Sequence, residues 1–348
     1  MDTLGGAEFA PEITYLNTAS CGLLPRRTIA AVRALAELNG TGRGTGSGSF
    51  ETVDAARASF ARLTGVPAER VAVGSAVAVH VGLVSASLPT GAEVLFPEGD
   101  FSSVINPFAV RGDLKLRYAP LEDLAEAVRP GTALVAFSSV QSADGRTADL
   151  AAVRAAAAAH GARTLVDTTQ SAGWLAVDPG AYDYTVTGGF KFLVCPRGTS
   201  FLTVREEVQD SLVPLHAGWI SGGDIWGSTY GPVEQLADSA RRFDEPVSFL
   251  SYHGAAESLA LLEEIGTEAV HAHNTALAAR FREGLTALGH EPVPGNSPIV
   301  SVPGLTHRHP DLQRAEVAVS LRAGYLRAAF HLYNTTADVD RALNVIAD

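Results

Sequence analysis

Lysine is nearly missing from this chain of 348 residues: among 26 basic side chains only Lys115 and Lys191 are lysines, and the rest are arginines. Arginine stays protonated and supplies no nucleophilic amine, so chemistry that needs one rests on these two positions. Cysteine is as scarce. With Cys21 and Cys195 alone, at most one disulfide can form, which excludes a disulfide-held scaffold. Long apolar runs are lacking too. The longest, such as Val71–Val84, is broken by Gly, Ser or His and falls short of the roughly 18 residues of a spanning helix. Met1–Pro11 carries acids and no basic side chain, unlike a secretory leader. A basic excess is also absent. The net charge of -12 argues against sequence-independent nucleic-acid binding and against an anionic membrane surface. These absences predict a soluble, cytoplasmic protein with no nucleic-acid or membrane partner.

What is present is globular: 46% hydrophobic and 18% charged residues, in a length that accommodates two domains. Short apolar runs at Val71–Val73, Glu93–Phe96, Lys115–Tyr118, Ala133–Phe137, Thr164–Val166, Tyr184–Thr187 and Ser200–Val204 read as strands. Helical stretches at Ala76–Leu88, Leu121–Arg129 and Leu150–His160 alternate with them. Alternation of this kind predicts an α/β fold with a mostly parallel seven-stranded sheet. Lys191–Val204 contains a Cys-Pro-Arg-Gly turn and no helix, so the last strand is expected to enter by a hairpin-like reversal. Beyond Asp238 lie helical patterns at Val247–Ile265 and Glu268–Leu288, an apolar run Ile299–Val302 and a final helix from Ala337. The expected organisation is an N-terminal arm (1–40) joining a small C-terminal α/β domain (239–348), with a large domain (41–238) between them. Residues 39–49, NGTGRGTGSGS, read as a flexible loop or as a loop facing the active site.

In parallel α/β sheets ligands gather at the carboxyl ends of the strands. Three features fall there. Gly74-Ser75-Ala76 joins a strand to a helix, where free N–H groups and the helix dipole would hold a phosphate, although ordinary capping explains the pattern as well. Asp167 closes the run Thr164–Val166. Lys191 follows Thr187-Gly188-Gly189-Phe190, one β-α-β step later, among Phe190, Phe192 and Leu193. Lys115, in an alternating run, reads as an outward strand position. An anion cradle, a carboxylate and a half-buried lysine together match the needs of pyridoxal 5'-phosphate. The lysine makes the Schiff base, and the acid keeps the pyridine nitrogen protonated so that the ring acts as an electron sink. Apolar neighbours lower the lysine pKa.

The stretch Thr164–Val204 resembles the core of the class V aminotransferase family, fold type I pyridoxal phosphate enzymes. Tyr15–Ser20 with Gly22–Pro25, Asp100–Ser103 with Pro107-Phe108, and Leu321–Asn334 resemble the family's opening, ring-stacking and C-terminal segments. The resemblance implies Lys191 as the Schiff-base lysine and Asp167 as partner of the pyridinium. It implies Gln170 on the phenolic oxygen, Phe101 stacked on the ring, and Ser75, Ala76 and Thr187 on the phosphate. It further implies Arg327 on the substrate α-carboxylate, Asn17 and Cys21 beside the substrate, and Trp219 reaching the phosphate of a neighbouring subunit. A homodimer with shared active sites follows from it, acting on a small amino-acid substrate.

Departures narrow the chemistry. Cysteine desulfurases carry a persulfide-forming cysteine on a late loop, and Pro303–Glu316 has none. Cys195 and Cys21 read first as small hydrophobes, with Cys21 the better active-site candidate. The paired histidines His271/His273 and His307/His309 lack further ligands and read as solvated surface rather than a metal site. The expected reaction is β-elimination of the C–S lyase type. Transamination or epimerisation is the alternative, and a non-catalytic cofactor-binding regulator is an alternative from another class.

Overall fold

In the computed structural model residues 3–43 and 49–348 are described, so 44–48 of the Gly/Ser/Thr-rich stretch lie outside the described residues. The chain opens with β1 (Thr14–Tyr15), α1 (Arg26–Gly40) and α2 (Phe50–Thr64). Local chemistry fixes both ends of α2: Ser49 Oγ accepts from the Glu51 N–H at 3.0 Å, and Gly65 closes it with a left-handed φ of 75°.

The alternating block then follows: β2 (Val71–Gly74), α3 (Val77–Ala86), β3 (Glu93–Pro97), α4 (Ser102–Ala109) and β4 (Lys115–Ala119). It continues through β5 (Thr132–Ser138), α5 (Leu150–His160), β6 (Arg163–Asp167), β7 (Tyr184–Gly188) and β8 (Ser200–Val204). These strands make one seven-stranded sheet in the order β2-β8-β7-β6-β5-β3-β4. β8 runs antiparallel to both of its neighbours, which is the reversal expected after Lys191, and the other pairings are parallel. Helices cover both faces of this sheet, so its central strands read as continuous apolar runs rather than alternating ones. The expected helix at Leu121–Arg129 is absent. Only Leu121–Asp123 forms a single 3₁₀ turn, because Pro130 disfavours helix just before it and Arg117 Nη2 takes the Ala127 carbonyl at 3.1 Å.

The C-terminal part contributes α6 (Phe249–Ile265), which packs across α1 and α2, and then α7 (Thr267–Ala287), β9 (Ile299–Pro303) and α8 (His309–Arg314). Short strands β10 (Val317–Ala318), β11 (Ser320–Arg322) and β12 (Tyr325–Ala329) precede the last helix, α9 (Thr336–Ala347). β11, β12 and β9 form an antiparallel sheet, and its apolar side shares a core with Leu277, Phe281 and Val339 of α7 and α9. β1 pairs with β10, and Asn17 bridges to Ala329, so the N-terminal segment runs beside this second sheet. Among the described residues no helix is long and apolar enough to cross a membrane.

Candidate active site

β6 and β7 are parallel neighbours, and their carboxyl ends place Asp167 and Lys191 on one edge of the sheet. Asp167 is buried, and its Oδ1 accepts from the Thr169 N–H at 2.8 Å. Burial pushes its carboxyl up, the Thr169 contacts and the Lys191 charge pull it down, and the charge of Asp100 adds to the upward push. After β7 the chain turns tightly through Gly189. A Cβ there would run into the Thr199 hydroxyl and Cys195, so only glycine lets the turn close beneath the lysine. Lys191 is 6% exposed and has no hydrogen-bond acceptor among the described residues. Its Nζ stands 4.9 Å from the centre of the Phe101 ring and 5.9 Å from that of Phe190. Burial lowers its pKa to about 8; Asp167 works against that shift, while Arg327, Arg197 and Arg322 add to it.

A cavity of about 270 Å³ opens beside this lysine. Ser75, Ala76, Phe101, Asp167, Thr169 and Gly188 are among its walls. At its far end Ser75 precedes α3, and there a carboxylate already sits: Glu245 Oε1 accepts from the Ser75 N–H and, at 3.0 Å, from the Ser75 Oγ. A second cavity of about 220 Å³ shares Phe101, Phe190, Lys191 and Arg197 with the first and continues to Ser20, Ser142, Arg322 and Arg327. Arg327, on β12, is fully buried, and its guanidinium donates to the Ser142 carbonyl, to Ser20 Oγ at 2.8 Å and to Ser320 Oγ at 3.2 Å. Burial lowers its pKa to about 10, and the charge of Arg322 adds to that.

The structure thus brings Lys191, Asp167, Ser75, Ala76 and Phe101 around one cavity and Arg327 around the adjoining one. Phe101 is 44% exposed at the mouth, with its N–H on Asp100 Oδ1 at 2.6 Å. Gln170 is buried nearby. Its Nε2 donates to the Ala19 carbonyl and to Ser142 Oγ, both at 3.0 Å, and its Oε1 has no partner.

Thr187 stands apart. Its hydroxyl bonds Thr168 Oγ1 at 2.6 Å inside the sheet, because strand alternation turns it to the face opposite Gly188, and Gly188 lines the cavity instead. Asn17 and Cys21 flank the turn whose Ala19 and Ser20 reach the second cavity; Asn17 Oδ1 is buried without a partner, and Cys21 Sγ donates to the Gly22 carbonyl at 3.5 Å. Trp219 lies outside both cavities, edge-on to Phe50 at 5.6 Å between ring centres.

Four further residues escaped the sequence reading: Glu245, Thr169, Arg197 and Ser142. Thr169 and Arg197 adjoin motifs that drew notice for other residues, whereas Glu245 reaches Ser75 from 170 positions away and no spacing betrays it. Cys195 is buried, its thiol pushed well up, and it lines neither cavity. His273, expected on the surface, is buried with Nε2 3.1 Å from the Asn334 carbonyl oxygen, because that side of α7 faces the second sheet. Among the described residues no group of three or more His, Cys, Asp and Glu is arranged to hold a metal.

The donor set fits pyridoxal 5'-phosphate. The Ser75 donors hold an oxyanion in the structure, an unpaired buried amine adjoins them, and a buried carboxylate faces that amine across neighbouring strands.

The aminotransferase class-V family profile matches residues 14–342. An uncharacterized aminotransferase of Bacillus subtilis (strain 168) is 26% identical over 86% of this chain and 84% of its own length. Isopenicillin N epimerase of Amycolatopsis lactamdurans is 28% identical over 97% of this chain and 95% of its own. Among solved structures, the cystine C–S lyase C-DES in complex with cysteine persulfide superposes with a TM-score of 0.85 at 23% identity, covering 97% of this chain and 98% of that one. That likeness establishes the fold.

Proposed function

Since the chain belongs to the aminotransferase class-V family, whose enzymes use pyridoxal 5'-phosphate, we propose that Lys191 bonds the aldehyde carbon of that cofactor and that the enzyme eliminates a sulfur leaving group from Cβ of an α-amino acid. The observation that carries this reading is the buried, unpaired amine of Lys191 facing Asp167 on the adjacent strand end. The cofactor, when bound, supplies the sink for the electron pair released at the substrate Cα.

This chain's residues do the rest. Ser75 and Ala76 hold the phosphate at the start of α3. Asp167 holds a proton on the pyridine nitrogen, Phe101 covers the ring, and the Gln170 amide serves the phenolic oxygen. Arg327 takes the α-carboxylate with its planar fork, which fixes the Cα–H bond toward Lys191. An amine with pKa about 8 is partly neutral at physiological pH, so Lys191 accepts the Cα proton and can pass it to the sulfur that leaves Cβ.

Two observations favour elimination over desulfuration and epimerisation. No cysteine lines either cavity among the described residues, whereas a desulfurase needs a thiolate at the substrate sulfur. Neither cavity wall carries a second lysine, a histidine or a tyrosine, so a two-base epimerisation lacks its second proton carrier there. Epimerisation or transamination stays the second reading on the strength of the 28% identity to isopenicillin N epimerase and the 26% identity to the Bacillus subtilis aminotransferase. We also infer a homodimer, cytoplasmic in location, with sites completed across the interface. Trp226 and Tyr230, which follow Trp219, are 72% and 92% exposed and suit such an interface.

Borohydride treatment of the cofactor-loaded protein followed by peptide mapping tests the cofactor assignment: the label belongs on Lys191, and finding it on Lys115 defeats the reading. Incubation with S-substituted cysteines tests the reaction. Pyruvate and ammonia in equal amounts are expected, whereas alanine, an inverted amino acid, or a keto acid with cofactor trapped in the amine form would each point to a competitor.

A further inference from the structure

The proposed function leaves two cations in the substrate-side cavity without a task, Arg197 and Arg322. Although Arg163, Arg241, Arg282 and Arg341 bond only neutral acceptors, arginine elsewhere in this chain often meets carboxylates, as in Arg57–Asp244 at 2.7 Å and Arg129–Glu93 at 2.5 Å. Around this cavity it does not: neither Arg197, Arg322 nor Arg327 has an acidic partner among the described residues. Arg322 Nη2 donates to Ser20 Oγ at 3.3 Å, and Arg327 Nη2 donates to the same oxygen at 2.8 Å. Two guanidiniums therefore meet on one neutral acceptor. Arg322 is exposed and also donates to the Leu321 carbonyl at 2.7 Å, so solvent screens part of a like-charge repulsion that an anion between them would relieve.

The third cation is fixed differently. Arg197 follows Pro196, and its guanidinium carbon stands 4.3 Å from the centre of the Phe190 ring, which holds it at the cavity wall next to Lys191. Among the described residues lining the two cavities Asp167 is the one acid; it is buried and lines only the first of them. Glu245 is tied to Ser75 at the phosphate end. The phosphate belongs at Ser75, and one carboxylate satisfies Arg327. Two positive charges are left over.

Resting on the Lys191 site proposed above, we propose that the substrate is an amino acid with a second carboxylate on its side chain, which Arg322 and Arg197 hold while Arg327 holds the α-carboxylate. A carboxylate matches the planar guanidinium fork and would relieve the repulsion at Ser20.

The test uses holoenzyme and calorimetric titration with glutarate and butyrate. These carry two carboxylates or one, and neither has an amine to bond the cofactor. Glutarate is expected to bind about tenfold or more tightly than butyrate. Arg322→Gln is expected to bring glutarate to the butyrate level, and Arg197→Gln to reduce its advantage, with butyrate binding changing less than glutarate binding in both. S-carboxymethylcysteine and S-ethylcysteine should then differ in KM rather than kcat. Equal affinity for the two acids, or an advantage for glutarate that survives both substitutions, overturns the proposal. Borohydride trapping on Lys191 in the same three preparations keeps the two readings apart. If trapping fails, the cofactor reading falls; if it succeeds while the acids bind alike, only the dicarboxylate falls.

Discussion

Glu245 holds Ser75 by both of its donors, the backbone N–H and the side-chain Oγ, through a single carboxylate oxygen. The cofactor phosphate is assigned to those same donors, so the two anions compete for one position. Phosphate wins only by breaking a charge-assisted pair of hydrogen bonds, a net contribution of about 1.5–3 kcal/mol. Glu245→Ala is therefore expected to tighten pyridoxal phosphate binding by about ten- to a hundredfold. A fluorescence titration of cofactor-free protein reads the change. A variant that binds more weakly than the parent would show that Glu245 supports the phosphate instead of displacing it.

The lowered lysine pKa has a kinetic signature. Only the neutral amine attacks an aldehyde, and burial sets the Lys191 midpoint at about 8 rather than the ordinary 10.5. The rate at which cofactor-free protein takes up pyridoxal phosphate should climb about tenfold per pH unit below that midpoint and level off above it. Stopped-flow absorbance measures it. A rate still climbing steeply between pH 9 and 10 would mean that the amine is hydrated and the site more open than its burial indicates.

Asp167→Asn keeps the shape at the end of β6 and the contact with the Thr169 N–H, since the amide oxygen still accepts. It removes the charge proposed to hold a proton on the pyridine nitrogen. Cofactor binding should survive, while turnover falls by about two to three orders of magnitude, the scale of losing one preorganised electrostatic partner. Binding is read by visible absorbance and turnover by product release. Equal loss of both would indicate that the carboxylate serves folding rather than catalysis.

Most of what positions the site was legible because it is local. A buried strand ending in Asp167, a glycine turn before Lys191 and a helix start at Ser75 each declare themselves within a few residues, and the parallel sheet brings their ends together. The scarcity of lysine narrowed the amine to Lys115 and Lys191, and the Gly-Gly-Phe turn and apolar neighbours pointed to Lys191. Side-chain facing was harder to read. Thr187 and Gly188 are adjacent, and only the strand register decides which of them meets the cavity. Leu121–Arg129 has helical spacing, yet the long-range hydrogen bond from Arg117 and the proline after it win. Contacts between distant segments were not legible at all. Glu245 on Ser75 and Arg322 beside Arg327 on Ser20 depend on how the C-terminal part and the N-terminal segment close over the strand ends.

One such distant contact bears on stability. Arg57 on α2 reaches the segment after β8, where Nη1 and Nη2 donate to the two oxygens of Asp244 at 3.1 and 2.7 Å. Asp244 Oδ1 also accepts from the Val73 N–H at 2.8 Å, and Arg57 Nη1 donates to the Val71 carbonyl at 2.6 Å, so the pair pins β2 from both sides. Both side chains are buried, and the Asp244 carboxylate holds the Arg57 pKa above its ordinary value. Removing one partner of such a pair strands the other charge away from water, at a cost of about 3–5 kcal/mol. Asp244→Ala should lower the unfolding midpoint by about 6–20 °C, taking about 2–4 °C per kcal/mol for a large domain. The double replacement Arg57→Met, Asp244→Leu should recover much of that loss, because no charge is left buried. Thermal unfolding followed by far-ultraviolet circular dichroism compares the three proteins. If the single variant melts like the parent, β2 is held by its apolar neighbours and the ion pair adds nothing.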